Sequence, residues 1–261
     1  MKTGFWDLDW KVKFEGGKLI VLGSRPAMGK STLGLNIATN IAVREKMPIF
    51  YFNLELSKES IIKNIITSES MVNRTKFENC DLEENDWEKV SKAVFGLKDS
   101  NIYIEDKPGI SIDEICEKSR KMRKEKGIKF ILIDYIQLIS YDKRELLNRE
   151  QEVSMISLKL KELSRELDIP ILVLTQLSRY SEKREDHRPI INDLRYCGSL
   201  AQDADVILFL YRDDYYNSDS ECKDIAEVII AKNRGGQNGT IELLTLFKYC
   251  KFVNLERRWD D

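Results

Sequence analysis

The chain has 261 residues, enough for one large α/β domain that buries about three quarters of its unfolded surface and for little else. Lysine and arginine number 42 against 44 aspartates and glutamates, a net charge of −2, so nucleic acid has to be held by a local basic patch and not by a global field. One histidine, His187, and five scattered cysteines without a C-x-x-C pair exclude a Ser-His-Asp hydrolase and a multi-histidine or zinc site, and they suit a reducing compartment.

No signal-peptide core follows Met1, and no apolar run approaches the roughly 18–20 residues of a membrane span, so a cytoplasmic protein without a membrane partner is expected. Phe5, Trp6, Leu8 and Trp10 stand close together ahead of Gly16-Gly17 and predict a packed lead-in to the first core strand. Residues 21–32 then read VLGSRPAMGKST. An apolar strand gives way to a loop with Gly23 and Gly29, and Lys30-Ser31 opens an amphipathic helix.

Pro48 breaks that helix, and IFYFN (Ile49–Asn53) reads as a second strand leading into Leu54-Glu55. Ser57 is placed to cap the helix SKESIIKNIIT. Residues 69–99 read as a peripheral packed helix, with Trp87, Val90, Val94 and Leu97 at helical spacing. A short strand at 102–105 and a helix at 111–126 follow. FILI (130–133) and ILVL (171–174) are apolar at every position, as in parallel strands buried on both faces, and a long helix from Arg149 to Leu167 lies between them.

From Val206 the strands come closer together: VILFLY, AEVIIA, TIELLTLF and KFVNL. The fold class this predicts is α/β, a mostly parallel central sheet with an antiparallel extension at its C-terminal end and helices on both faces. Two polar loops, 178–189 and 212–224, are candidates for disorder, and His187 reads as a solvated loop residue.

The chemistry gathers at the C-terminal ends of the apolar strands, where open α/β sheets bind ligands. The loop 24–32 (Ser24, Arg25, Pro26, Ala27, Met28, Gly29, Lys30, Ser31, Thr32) points backbone N–H groups inward, and the next helix adds its positive end, so a polyphosphate suits it. Lys30 would reach the outer phosphates and the Ser31 hydroxyl would ligate Mg2+. The strict pattern asks for glycine at 24, where Ser24 stands. Asp134, directly after FILI, is a carboxylate at a strand end for Mg2+.

Tyr135 is no carboxylate base, so Glu55 is the best-placed group to activate water; the alternative is an acid that favours the next helix's positive end. Gln176, just after ILVL, can register a γ-phosphate through its amide, or merely begin a loop. Lys232 and Arg234 precede the glycine-rich turn GGQNG and read either as a solvated tip or as cations projected outward, as an arginine finger needs.

In order, TGFWDLD, SRPAMGKST, FNLEL, LIDYIQLI, LSRELDIPILVLTQLSR, DLRYCGSLAQDADVILFLYRD and IAKNRGGQNGTIELL resemble the C-terminal motor domain of DnaB-type replicative helicases. The resemblance runs from about residue 3 to 255. It implies a RecA-like P-loop ATPase core, a hexameric ring with ATP and Mg2+ between subunits, single-stranded DNA in the central channel, and a primase or helicase loader as partner. By matching motifs, Lys30 and Ser31 would hold phosphate and Mg2+, Asp134 would be the second Mg2+ ligand, Glu55 the base and Gln176 the sensor. Lys232 and Arg234 would reach a neighbour's nucleotide, and the DNA-contacting segment falls on 193–205, implicating Arg195 and the backbone around Gly198.

Two departures fall in that segment: Tyr196-Cys197 stands where the family has Glu-Ser, and Ala201 where it has Glu. Tyr196 could stack on a base. The whole of 1–261 is expected to be one motor domain, either excised from a longer chain or a short relative, because the family's N-terminal helical domain and linker helix have no counterpart in it. A second class stays open, a regulatory, loading or recombination ATPase of RecA type that binds DNA without unwinding it.

Overall fold

A strand that is apolar at every position must be covered on both faces, and a sheet built of such strands must be mostly parallel with helices on either side. The computed structural model describes residues 1–141 and 148–256, apart from the side chains of 195–198. Its strands are β1 (Leu19–Ser24), β2 (Ile49–Asn53), β3 (Ile102–Glu105), β4 (Phe130–Asp134), β5 (Ile171–Gln176), β6 (Val206–Tyr211), β7 (Ile225–Asn233), β8 (Gly239–Leu246) and β9 (Lys251–Asn254). They form one sheet in the order β3-β2-β4-β5-β1-β6-β7-β8-β9. Neighbours from β3 across to β6 pair in parallel, and β6-β7-β8-β9 pair antiparallel, as the shortening links imply.

Helices α1 (Trp6–Lys11), α2 (Lys30–Val43), α3 (Lys58–Ser70), α4 (Arg74–Glu78), α5 (Glu84–Leu97), α6 (Ile112–Lys126), α7 (Arg149–Leu167) and α8 (Gly198–Asp203) surround it. The alternation along β1 divides the core in two. Ile20 and Leu22 pack with Ile37 of α2 and Ile61 of α3 on one face; Leu19 and Val21 pack with Ile115 of α6, Ile156 of α7 and Leu200 of α8 on the other. Side-chain caps fix several helix starts. Ser57 accepts from Ser60 N at 3.3 Å, Ser111 from Glu114 N at 3.2 Å, and Asn148 and Gln151 form a reciprocal capping box.

Four expectations need correction. Phe5 and Leu8 are buried, but Trp6 and Trp10 are 69% and 76% exposed, because a short helix next to the sheet can bury only one stripe. The stretch 69–99 is not one helix: α3 ends at Ser70, and α4 and α5 follow, with Val90 the only buried residue of α5. The polar loops have a defined course: 178–189 is tied by the ion pairs Arg25–Glu182, Arg184–Asp193 and Arg188–Glu227, and 212–224 by the pair Arg212–Asp214 and by Asp224 N donating to Asp214 Oδ2 at 3.1 Å. His187 is not simply solvated, since its ring stacks on Tyr216 with centroids 4.3 Å apart.

The N-terminal edge of the parallel sheet is pinned by a nearly dry ion pair. Asp205, just before β6, accepts from Leu19 N at 2.8 Å and from Lys161 Nζ of α7 at 2.6 Å. The same ammonium donates to Gly17 O at 2.7 Å. Removing the lysine leaves the Asp205 charge without its buried cation, while Gly17 O keeps only the Ser164 hydroxyl at 3.1 Å. Lys161→Met is therefore expected to lower stability by about 3 kcal/mol, read as a drop in the urea midpoint at unchanged slope. An unchanged midpoint would show that Asp205 finds equal compensation elsewhere.

Candidate nucleotide-binding site

Parallel strands end together, and here several end in polar residues. Ser24 stands opposite Gln176 at the ends of β1 and β5, and Asn53 opposite Asp134 at the ends of β2 and β4. Along this edge runs an open cleft of about 390 Å3, lined by Ser24, Arg25, Pro26, Ala27, the segment from Gly29 through Lys30 and Ser31 to Thr32, and Glu55, Tyr135 and Gln176. Met28, expected with the loop, instead turns into the core and is buried.

Two left-handed residues shape the loop, Ala27 at φ +64° and Gly29 at φ +94°. A Cβ on Gly29 would lie 2.7 Å from Phe247 Cε1 and 2.9 Å from Phe252 Cζ, so both dihedral and space require glycine. α2 starts at Lys30 with no side-chain cap and no acid in its first turn. Its first N–H groups and the helix's positive end are left for an anion. The buried Ser24 hydroxyl, at the position the strict motif gives to glycine, donates to Arg25 O at 2.8 Å. Arg25 directs its guanidinium to Leu177 O at 2.7 Å and to Glu182.

Across the cleft floor Lys30 Nζ lies 3.1 Å from Asp134 Oδ1 and 4.9 Å from the centre of the Tyr135 ring. Asp134 is only 1% exposed, and its Oδ2 accepts from the Tyr51 hydroxyl at 3.4 Å. Burial, and then the Asp134 charge, push the Tyr51 hydroxyl well above its ordinary pKa, so it stays protonated and donates. Asn53 completes the support: its Nδ2 donates to Tyr51 Oη at 2.6 Å, and its Oδ1 accepts from Glu55 N at 3.0 Å and Leu56 N at 2.7 Å. That turn sets the exposed Glu55 at the cleft rim.

Tyr51, Asn53 and Gln137, which bonds the end of β5, were missed from the sequence. Tyr51 and Asn53 were legible, being a polar i,i+2 pair on one face of an otherwise apolar strand. Nothing in the pattern marks Gln137.

Lys232 and Arg234 lie at the other edge of the sheet. Asn233 pairs with Val206 at the start of β6, whereas Ser24 is level with Leu210 near its end. That is about 13 Å of strand. The expectation of two cations projecting from a tip is corrected. Lys232 Nζ donates to Ala201 O at 2.8 Å and Gln202 O at 3.2 Å, because the register sets it against the negative C-terminal end of α8. Arg234 donates to Gln202 O at 2.7 Å and pairs with Asp205 at 3.5 Å, with its side chain half exposed. The segment leading to α8 passes Asp193 and Leu194, which line a second cleft beside Gln176. The side chains of Arg195 and Tyr196, and the surroundings of Gly198, lie outside the described residues.

A glycine-bent loop between an apolar strand and an uncapped helix, with a lysine facing a strand-end carboxylate, defines a P-loop nucleotide-binding domain. More narrowly, the chain belongs to the DnaB-like helicase C-terminal domain family, whose model matches residues 1–254. It is 45% identical over 260 residues to the replicative DNA helicase DnaC of Bacillus subtilis (strain 168) and to the replicative DNA helicase DnaB of Geobacillus stearothermophilus. These alignments cover 99% of this chain and 57% of each relative, so the chain spans little more than half the length of the curated relatives it matches.

Two solved structures superpose with a TM-score of 0.93 at 40% identity, each over 98% of this chain. One is an ATPase domain, covered to 91%; the other is a DnaB-like replicative helicase described with its interactions with primase, covered to 62%. The fold is thus the RecA-like core of these ATPase domains.

Gly29→Ala puts a methyl where two phenylalanine rings already sit and forces a left-handed alanine. A loss of about 2–4 kcal/mol in stability is expected, together with loss of fluorescent-nucleotide binding. Wild-type binding by this variant would contradict the loop geometry described.

Proposed function

We propose that the chain is the motor domain of a DnaB-type replicative helicase. In this reading one RecA-like domain hydrolyses ATP at the subunit interfaces of a hexameric ring, moves along single-stranded DNA and unwinds duplex. It works in the cytoplasm, with a primase or loader as partner of the complete protein. What supports this most is one arrangement: Lys30, Asp134, Glu55 and Gln176 gather at one edge of the sheet, while Arg234 is held at the opposite edge, out of reach of that cleft. Arg25, which lines the cleft, is committed to Leu177 O and Glu182, so an arginine aimed at the outer phosphates is left for a neighbour to supply.

The residues present fit Mg2+. Among the described residues no trio of His, Cys, Asp and Glu could hold a metal by itself. Ser31 and Asp134 instead offer a hydroxyl and a carboxylate, a set that suits a cation taking its remaining ligands from phosphates and water. Bound there, Mg2+ would neutralise charge developing on the β- and γ-phosphates. The loop amides and Lys30 bind and orient the triphosphate, and Lys30 exchanges Asp134 for the outer phosphate as its anion. Glu55 orients the attacking water and takes its proton. Gln176 hydrogen-bonds the γ-phosphate and reports its departure to the second cleft, where 193–198 lead toward DNA. Arg234 stabilises the transition-state charge of the adjoining subunit's site.

Two variants test the reading by ATP turnover with single-stranded DNA present. Lys30→Ala should lose nucleotide binding and at least about a hundredfold in turnover, since the outer phosphates lose their cation. Glu55→Gln should keep binding while turnover falls by about 10²–10⁴, because an amide keeps the shape and cannot take the proton. Unchanged turnover in Lys30→Ala would overturn the nucleotide site. ATP turnover and DNA binding by a verified ring that never separates a forked duplex would favour the regulatory reading.

A further inference from the structure

The phosphate cleft and the second cleft share a wall, and Gln176 is part of both of its sides. The second cleft, about 680 Å3, is also lined by Gln137, Arg149 and Arg179. Among the described residues the exposed Gln176 side-chain amide makes no hydrogen bond, which leaves it free to meet a ligand; its peptide is what is held.

β1 runs beside β5 to its last residue, pairing Ser24 with Gln176. On the other side β4 stops earlier, at the pair Ile133–Val173, so the peptide groups of β5 beyond that point face no strand. A strand-end N–H or C=O left without a partner weakens the register of the residue that carries it. Gln137 supplies what the missing strand would. Its Oε1 accepts from Gln176 N at 3.3 Å, and its Nε2 donates to Gln176 O at 3.1 Å and to Thr175 Oγ1 at 2.9 Å.

Gln137 is itself fixed from behind. It sits in a 3-10 turn, Ile136–Leu138, anchored by fully buried Ile136. Its carbonyl accepts from Arg149 Nη2 at 2.7 Å, and the same guanidinium pairs with Glu152 and reaches Ile139 O at 3.4 Å. A chain of contacts thus runs from a cation on the second cleft, through one amide, to the peptide that carries Gln176.

We propose that Gln137 is the positioning residue of Gln176, fixing the angle at which that amide meets the outer phosphate and tying that angle through Arg149 to the second cleft. The inference rests on the reading of Gln176 as the γ-phosphate sensor. Gln137 lies outside the phosphate cleft, so its loss acts on the geometry of turnover and not on the grip of the loop 24–32. An anion that drew Arg149 away would loosen Gln137, and with it the sensor.

The test is steady-state ATP turnover with single-stranded DNA for wild type, Gln137→Leu, Gln176→Ala and the double variant. Gln137→Leu should lower kcat about tenfold or more with KM for ATP within about threefold, the pattern of an interaction needed mainly in the transition state. The double variant should be no slower than Gln176→Ala, because a residue acting through another adds nothing once that other is gone. Gln137→Met, which keeps the length of the side chain without its amide, should match Gln137→Leu, and it replaces the latter if leucine lowers the melting temperature.

Defects that multiply in the double variant would overturn the inference while leaving the sensor reading intact. Wild-type turnover in Gln176→Ala would overturn the sensor reading, and a slow Gln137→Leu beside it would show that Gln137 acts by another route.

Discussion

A carboxylate almost wholly out of water has to be answered by a cation, and Asp134 is answered by Lys30 at 3.1 Å. The pairing exists only because β1 and β4 run the same way on either side of β5, so that both end at the same edge of the sheet. If one strand were reversed, lysine and carboxylate would lie at opposite edges. The same parallelism brings Gln176 to the cleft between them, and Asn53, one strand further out, turns the chain so that Glu55 reaches it. Tyr51, kept protonated by its burial, gives the carboxylate a second donor and so limits where it can swing. A triphosphate entering the cleft competes with Asp134 for one ammonium, which makes the pair a ready-set exchange of anions.

The opposite edge is built from the same kind of interaction turned to another use. Asp205 gathers Lys161, Arg234 and the first amide of β1, and the last carbonyls of α8 take Lys232 and Arg234. The two cations that motif matching assigns to a neighbour's nucleotide are therefore also fastened to the helix that follows the segment 193–198. Any movement of α8 moves the base of the β7–β8 hairpin, and a neighbour's phosphate would pull on both. This mechanical link between one subunit's DNA-facing segment and another's nucleotide belongs to the proposed ring.

Much of this was readable from the chain. FILI and ILVL are apolar throughout, and IFYFN and VILFLY nearly so, because helices cover the sheet on both faces, and that condition points to a mostly parallel sheet before any coordinate is known. The phosphate loop was readable despite Ser24, since strand, glycine and helix start come in the right order. Lys232 was misjudged because a polar run ending in glycines looks like a solvated tip. Only the antiparallel register of β7 brings its amine to the α8 carbonyls. Trp6 and Trp10 were misjudged because aromatic residues read as core, while a six-residue helix with Phe5 and Leu8 turned inward leaves its other stripe in water. Gln137 was invisible for a different reason: its role comes from β4 stopping short of β5, a property of two strand lengths and not of any local pattern.

The central claim is that this cleft is half of a site, finished by Arg234 of an adjoining copy. It is tested most directly by mixing two inactive variants, Arg234→Ala and Glu55→Gln, and measuring ATP turnover with single-stranded DNA after co-assembly has been verified. An interface that takes its arginine from the Glu55→Gln chain and its glutamate from the Arg234→Ala chain is whole, so the account predicts that turnover reappears in the mixture and in neither protein alone. A co-assembled mixture that stays as inactive as its components would contradict it and place the role of Arg234 within its own chain.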